Sequence, residues 1–406
     1  MMLGGSAIIN RTALATMSAP QTAKTVRILS LDGGGMRGYL SATFLKRFCV
    51  QAGIPANQLF NSFDIITGTS IGGVQALGYA YGQSPDNMLQ FFSSKGASIF
   101  YYNSILPLSA YKFSVIMGLP TYPTTFYGQA PLQAALAEVF GTTLKLSNLP
   151  GKVIIPSWDA GEDASTIFSN ITGFEPFMTG ANTEVVNVGL ATSAAPLYFP
   201  SATVSGETLI DGGVYQNNPV TTAFSVARQL FPEAIRLCVL SVGTGVAHNA
   251  FVPETALRSA FEPTVEGGLE GDALMQDVQY ELAKLRKKLL LKYPESIEKI
   301  NLLTTSRNLS ANSIAPYNVD YLFYLMDNVF IAGPQELNAK VMEFETQDLF
   351  DDIFNYRFQY QFLPGQDSSL DNYSPQNLAN LASYANQQYD TDALKIQNFI
   401  EHFNAG

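Results

Sequence analysis

The stretch Phe63 to Gly73, FDIITGTSIGG, constrains this chain more than any other part of it: a short β-branched, apolar run leads directly into three glycines set around one serine. Glycine on both sides of a single residue is what a chain needs to turn sharply from strand to helix, and Val74 to Tyr81 supplies the apolar helix, stopped near Gly82. Gly68-Thr69-Ser70-Ile71-Gly72 fits G-x-S-x-G, a pattern that lifts a serine hydroxyl to the carboxyl edge of a sheet. Five-residue patterns of this kind arise often by chance, so the weight of this one rests on its surroundings.

The same grammar occurs earlier. Thr25 to Leu31 (TVRILSL) reads as a strand, Asp32-Gly33-Gly34-Gly35 as a turn, and Leu40, Phe44, Leu45 and Phe48 mark a helix. Two strand-turn-helix units in succession imply a parallel sheet. Further strands are expected at Lys152 to Pro156, Glu184 to Val188, Thr208 to Ile210 and Ile235 to Val242, with helices near Pro131 to Phe140 and Pro219 to Leu230. Beyond Gly245 the strand signals thin, and Gln276 to Tyr293, Asp320 to Phe330 and Pro334 to Glu345 look helical. The expected organisation is therefore a tail over 1–24, an α/β core over 25–245 and a mainly helical cap over 246–406 on the same domain. No linker, repeat or long low-complexity tract divides the chain, although Gly365 to Ser374 is polar enough for a loop.

Composition narrows the partners. Of 406 residues, 47% are hydrophobic and 12% aromatic, enough for a substantial core. The 34 acidic against 23 basic residues give a net charge of −11 at pH 7, which repels phosphate backbones and argues against nucleic acid. Cys49 and Cys238 sit among apolar neighbours and read as buried thiols. Residues 1–24 lack a basic start followed by an apolar run, and no stretch reaches the roughly 20 apolar residues that span a bilayer. The expected location is cytoplasmic, and Asn-x-Ser/Thr triplets at Asn10, Asn170, Asn308 and Asn372 carry little weight.

Two further motifs bear on chemistry. Gly33-Gly34-Gly35-Met36-Arg37-Gly38 gathers backbone N–H groups at a helix N-terminus, where an oxyanion is stabilised; Arg37 adds charge or braces the loop. These residues also satisfy the dinucleotide fingerprint G-x-G-x-x-G, but Gln51 to Phe60 offers no acid at the spacing that fingerprint wants. Asp211-Gly212-Gly213 follows Leu209-Ile210, so its carboxylate emerges at a strand end with glycines keeping space beside it; a plain Asp-Gly turn is the other reading. The metal-binding spacings H-E-x-x-H, paired C-x-x-C and the EF-hand loop are all missing from the sequence.

Together DGGGMRG, GTSIGG and DGG resemble the patatin-like phospholipase family, as do ATSAAPLYFP at Ala191 to Pro200 and SVGTG at Ser241 to Gly245. The resemblance covers roughly Arg27 to Gly245. It implies a three-layer α/β/α fold with a mostly parallel central sheet, a C-terminal helical extension and a lipid acyl hydrolase working through a Ser-Asp dyad. Ser70 is then the nucleophile, Asp211 the general base, and the amides of Gly33, Gly34, Gly35 and Ile71 the oxyanion hole. Arg37, Gly38, Gly68, Gly72, Gly212 and Gly213 support them, with no metal or cofactor, a lipid ester as substrate, and room for an activating protein or ligand. Bacterial relatives can be secreted effectors.

A carboxylate with a solution pKa near 4 is a poor base for an alcohol, so such a dyad requires burial around Asp211 and a strong oxyanion hole. Chain order also allows a triad of Ser70, Asp211 and His248, the only other histidine being His402. A storage or scaffold protein on this fold, and a nucleotide binder using the Gly33–Gly38 turn, remain as other readings. The aromatics Phe100, Tyr101, Tyr102, Tyr111, Phe113, Tyr122, Phe126 and Tyr127 suit an acyl-chain groove, a lipid interface or ordinary core. A helix over Val278 to Lys292, carrying Lys284, Arg286, Lys287, Lys288 and Lys292, suits peripheral contact with an anionic membrane or a solvated face.

Overall fold

The computed structural model describes residues 25–101, 125, 127–175, 177–196, 198–234, 236–247, 335–342, 353–363 and 365–405. The expected tail, most of the aromatic stretch, the basic helix and His248 lie outside them.

The two glycine turns stand where two parallel strands end. β1 (Thr25–Leu31) passes through the Gly-rich turn and a short 3-10 turn (Gly35–Arg37) into α1 (Gly38–Ala52). After α2 (Leu59–Ser62), β2 (Ile65–Gly68) feeds through Ser70 into α3 (Ile71–Tyr81). β1 pairs with β2 on one side and with β7 (Arg236–Val242) on the other, both parallel, as the repeated strand-turn-helix grammar requires. β2 pairs in turn with the start of β3 (Val153–Asp159).

The sheet alternates cleanly between two apolar layers. Val26 and Ile28 face a layer formed with α8 (Val220–Leu230), while Leu29 and Leu31 face the larger one. The larger layer collects α1, α3, α4 (Pro85–Ile99), α5 (Gln129–Phe140) and α6 (Val185–Thr192). This is the three-layer α/β/α arrangement with a mostly parallel central sheet. No helix among the described residues is long and apolar enough to cross a membrane.

Two expectations need correction. Glu184 to Val188 forms no strand; Val185 opens helix α6. Val185, Val186, Val188, Leu190 and Ala191 are all buried, so this helix has no polar face to reveal a helical period, and its β-branched residues imitate a buried strand. The segment beyond Gly245 is also more than a helical cap. Ile353–Phe358 forms β9, which extends the sheet by pairing parallel to β7, with Leu240 opposite Tyr356 and Val242 opposite Phe358. α9 (Pro375–Thr391) and α10 (Ala393–Asn404) then pack on α1, where Phe44 stacks on Phe358 at 4.2 Å and Phe48 meets Phe399 and Phe403. The expected helix at Pro334 to Glu345 is present over 335–342.

The antiparallel part of the sheet sets up the site. β4 (Ala164–Ser169) lies along β3 from Asp159 to Ile154 and occupies one edge of it. β2 meets β3 at Val153 and Ile154, and β6 (Glu207–Asp211) meets it at Ser157 to Asp159, so both share the other edge. They run in opposite directions, and their C-terminal ends therefore approach each other. β2 ends two residues before Ser70 and β6 ends on Asp211.

Candidate active site

Ser70 sits between β2 and α3 at φ 57° and ψ −130°, a conformation that side-chain-bearing residues rarely adopt and that costs about 1–3 kcal/mol. The surrounding glycines are required by contact. A Cβ on Gly68 would lie 2.1 Å from the Gly72 carbonyl oxygen, and one on Gly72 would lie 2.3 Å from that of Leu31. The Ser70 N–H donates to Thr192 Oγ1 at 3.0 Å, and Thr192 donates onward to the Pro156 carbonyl at 2.6 Å. Thr69 Oγ1 donates to the Gln216 carbonyl at 2.7 Å, so both sides of the serine are pinned.

Asp211 is buried at 4% exposure. Its N–H donates to Ala194 O at 3.0 Å, and its Oδ1 accepts the Gly213 N–H at 2.7 Å. Burial pushes the carboxyl up to about 7, and the hydrogen bonds it accepts from the Ser70 hydroxyl and from Gly213 N–H offset only part of that. Gly212 serves close packing more than open space, since a Cβ there would lie 2.5 Å from Pro156 O. A Cβ on Gly213 would lie 3.0 Å from Asp211 Oδ1.

The Gly-rich turn lines the same pocket, but its three glycines are not equivalent. Gly33 N–H already donates to Asn217 O at 3.1 Å, which corrects its expected place among the oxyanion donors. Its carbonyl accepts from Thr244 Oγ1 at 2.6 Å and Asn217 Nδ2 at 3.3 Å. The N–H groups of Gly34, Gly35 and Ile71 have no acceptor among the described residues, and all three residues line the pocket. Gly35, at φ 56°, would place a Cβ 2.2 Å from Leu370 O. Gly38 is held against Phe92 and Gln75, and Arg37 braces the turn by reaching Ser368 O at 3.3 Å.

Beneath the turn, Asp32 is fully buried and paired with both terminal nitrogens of Arg357, one of which also donates to Ser241 Oγ at 2.8 Å. Burial pushes the Asp32 carboxyl up and Arg357 opposes it. Arg357, Asn217, Thr192, Thr244 and Leu370 are the supporting residues that motif reading missed. Thr244 and Thr192 lay inside stretches already singled out, SVGTG and ATSAAPLYFP. Asn217 follows the Asp-Gly-Gly turn by four residues, but nothing in the spacing marked it.

From Ser70 and Asp211 the pocket continues between α4 and the turn as an apolar cleft lined by Met36, Val74, Phe91, Phe92, Ile99, Phe100, Leu132, Phe199 and Leu370. Of the expected aromatic stretch, Phe100 lines it and Tyr127 packs edge-on behind Phe100 at 5.2 Å, whereas Tyr101 is exposed. His402 is elsewhere, on α10, stacked on Phe354 at 3.7 Å. No group of His, Cys, Asp and Glu suited to a metal is found among the described residues.

This geometry can be set beside known proteins. Residues 29–224 match the family model described as patatin-like phospholipase. The chain carries a patatin-like phospholipase domain. The matched stretch holds Ser70, Asp211 and the Gly-rich turn, while Thr244, Arg357 and Leu370 lie beyond it. The chain is 33% identical over 234 residues to a cGAMP-activated phospholipase of Vibrio cholerae, covering 54% of this chain and 64% of the relative. It is 31% identical over 268 residues to patatin-like protein 2 of Oryza sativa subsp. indica, covering 58% and 64%. It is 27% identical over 238 residues to a calcium-independent phospholipase A2-gamma of Oryctolagus cuniculus, covering 56% and 29%. The chain thus spans less than two thirds of the length of each of these relatives.

Proposed function

We propose that this protein hydrolyses carboxylic esters of membrane lipids through an acyl-enzyme on Ser70, with Asp211 as general base. The observation that carries the reading is the pairing of a strained, pocket-facing serine with a buried carboxylate whose pKa lies near 7. Such a carboxylate is partly ionised at neutral pH and basic enough to take a proton there, which an exposed aspartate is not.

In the first half-reaction Asp211 takes the Ser70 hydroxyl proton as Oγ attacks the ester carbonyl. The negative charge moves to the carbonyl oxygen, where the Gly34 and Gly35 N–H groups, with Ile71 N–H at the start of α3, stand without acceptors among the described residues. Collapse of the tetrahedral intermediate expels the alcohol portion of the lipid, which takes the proton from Asp211. In the second half-reaction Asp211 removes a proton from water, the hydroxide attacks the acyl-Ser70 carbonyl, and collapse returns the proton to Ser70 as the fatty acid leaves. The apolar cleft holds the acyl chain and keeps other water from the intermediate. Metal and cofactor take no part in these steps, so activity is expected without calcium.

Ser70 lies in the pocket with Asp211, and the turn that fits a dinucleotide fingerprint opens on the same apolar cleft, which favours acyl chemistry over the nucleotide and storage readings. The test is labelling by a fluorophosphonate together with fatty-acid release from a mixed-lipid panel, run with and without calcium and with and without cGAMP. Ser70→Ala should abolish both signals and Asp211→Asn should abolish turnover. A well-folded wild-type protein that neither labels nor releases fatty acid in any arm refutes the proposal.

A further inference from the structure

The polar stretch 365–374 is a loop, as its composition suggests, and it reaches both walls of the pocket. On one wall, Leu370 O accepts the Met36 N–H at 2.7 Å and lies so close to Gly35 that a side chain there would clash with it. Ser368 O accepts from Arg37 two residues earlier, at 3.3 Å. On the opposite wall, the Tyr127 hydroxyl donates to Asp371 Oδ2 at 2.5 Å, and a Cβ on Gly96 of α4 would lie 2.9 Å from the Tyr373 Cβ. Leu370 itself is 4% exposed and lines the cleft between these walls.

The loop is stiff enough to transmit position. Asp367 Oδ1 accepts from Ser369 N at 2.8 Å and from Ser369 Oγ, while its Oδ2 accepts from Asn372 Nδ2. Asn377 Nδ2 fastens the Asn372 carbonyl to the first turn of α9 at 2.8 Å. A loop braced by hydrogen bonds of its own on both sides of Leu370 and Asp371 moves as a unit, so a shift at Asp371 is carried one residue along to the Leu370 carbonyl.

We infer that Asp371, held by Tyr127, is a positioning residue for ester hydrolysis: it seats the Leu370 carbonyl, which fixes the Met36 peptide and so aims the free N–H groups of Gly34 and Gly35. The inference rests on the acyl-hydrolase reading and adds to it a part of the machinery that lies more than 140 residues beyond the matched family stretch, which ends at residue 224. Asp371 touches no substrate. Its effect is on the charge that develops in the transition state, and displacements of about 1 Å at such a remove cost on the order of 100-fold in rate.

The experiment uses the full chain, a short soluble p-nitrophenyl ester, a trifluoromethyl ketone as tetrahedral-anion mimic and a fatty alcohol as neutral cleft ligand. Tyr127→Phe and Asp371→Ala should each lower kcat by about 10- to 100-fold and weaken the ketone by a similar factor, with KM and alcohol binding within about 2-fold. Asp371→Asn should recover most of the rate, because an amide oxygen still accepts the tyrosine hydroxyl. In the double variant the two losses should fall well short of multiplying, since Tyr127 acts through the hydrogen bond that Asp371→Ala also removes. If folded Tyr127→Phe keeps wild-type kcat, if ketone and alcohol weaken together, or if the two losses multiply, the inference is wrong. An inactive wild type would instead overturn the underlying hydrolase reading, so the two failures are distinct.

Discussion

Replacing Asp211 with asparagine should stop turnover while making the folded protein relatively more stable as pH rises, and the size of that gain follows from the carboxyl's burial. The folded-state pKa is raised from 3.8 to about 7. The native state therefore holds this proton more tightly than the unfolded chain does, and between these two pH values unfolding releases it. The contribution of Asp211 to wild-type stability accordingly falls by about 1.4 kcal/mol for each pH step in that window and stops falling once the folded carboxyl is also ionised. Asparagine does not titrate, fits the same space and still accepts the Gly213 N–H. The stability of Asp211→Asn relative to wild type should thus grow by about 2 kcal/mol between pH 5.5 and 8.5, nearly all of it below about pH 7.5. Urea unfolding of both proteins at half-unit pH intervals reads this directly, because every other titrating group cancels in the difference, provided the slope m is shared. A difference that stays flat across the range refutes the argument that Asp211 is buried with a raised pKa. A kinetic cross-check comes from wild-type kcat/KM, which should rise with pH through a midpoint near 7 as the carboxylate ionises.

Ser70→Gly should abolish fluorophosphonate labelling yet raise stability by about 1 kcal/mol, since glycine accepts φ 57° without strain; a thermal melt showing destabilisation would contradict this. Gly35→Ala forces a methyl against Leu370 O and should lose activity together with at least about 2 kcal/mol of stability, read by the same melt. Arg357→Met strips the buried Asp32 carboxyl of its ion-pair partner and should cost about 3–5 kcal/mol in urea unfolding. Adding Asp32→Asn to that variant should restore part of the loss, and a further loss would show that the pair is not what holds the turn.

Much of the fold and of the candidate site's layout was legible in the sequence, for a physical reason. FDIITGTSIGG and TVRILSLDGGG each concentrate a buried strand, a turn that excludes side chains and a helix start within about a dozen residues, so local sterics alone betray them. What escaped was stabilised by contacts distant in sequence. β9 carries a period-two signal in Tyr356 and Phe358, continued past its end by Tyr360 and Phe362, all buried, but its strand neighbour β7 is over 100 residues away. α6 was misread because burial on every side erased its period. Leu370 acts through its backbone carbonyl, which no side-chain pattern can announce.

The same distribution bears on how, in the proposed mechanism, a carboxylate would serve where a histidine is more familiar. Burial at the end of β6 pushes the Asp211 carboxyl up to about 7, so in the proposed mechanism proton removal from Ser70 is drawn forward by stabilisation of the charge that forms on the substrate. That places the greater demand on the Gly34 and Gly35 amides, and amides stabilise charge well only when they do not have to reorganise as it appears. The glycine turn meets this condition because its neighbours leave it nowhere else to go: Thr244 beneath Gly34, Leu370 O against Gly35, Asn217 on both sides of the Gly33 peptide and the Asp32–Arg357 pair below. The proposed nucleophile and base thus stand on two strands meeting end to end on one edge of β3, whereas the rigidity the proposed chemistry depends on comes from Thr244 and the C-terminal strand and loop.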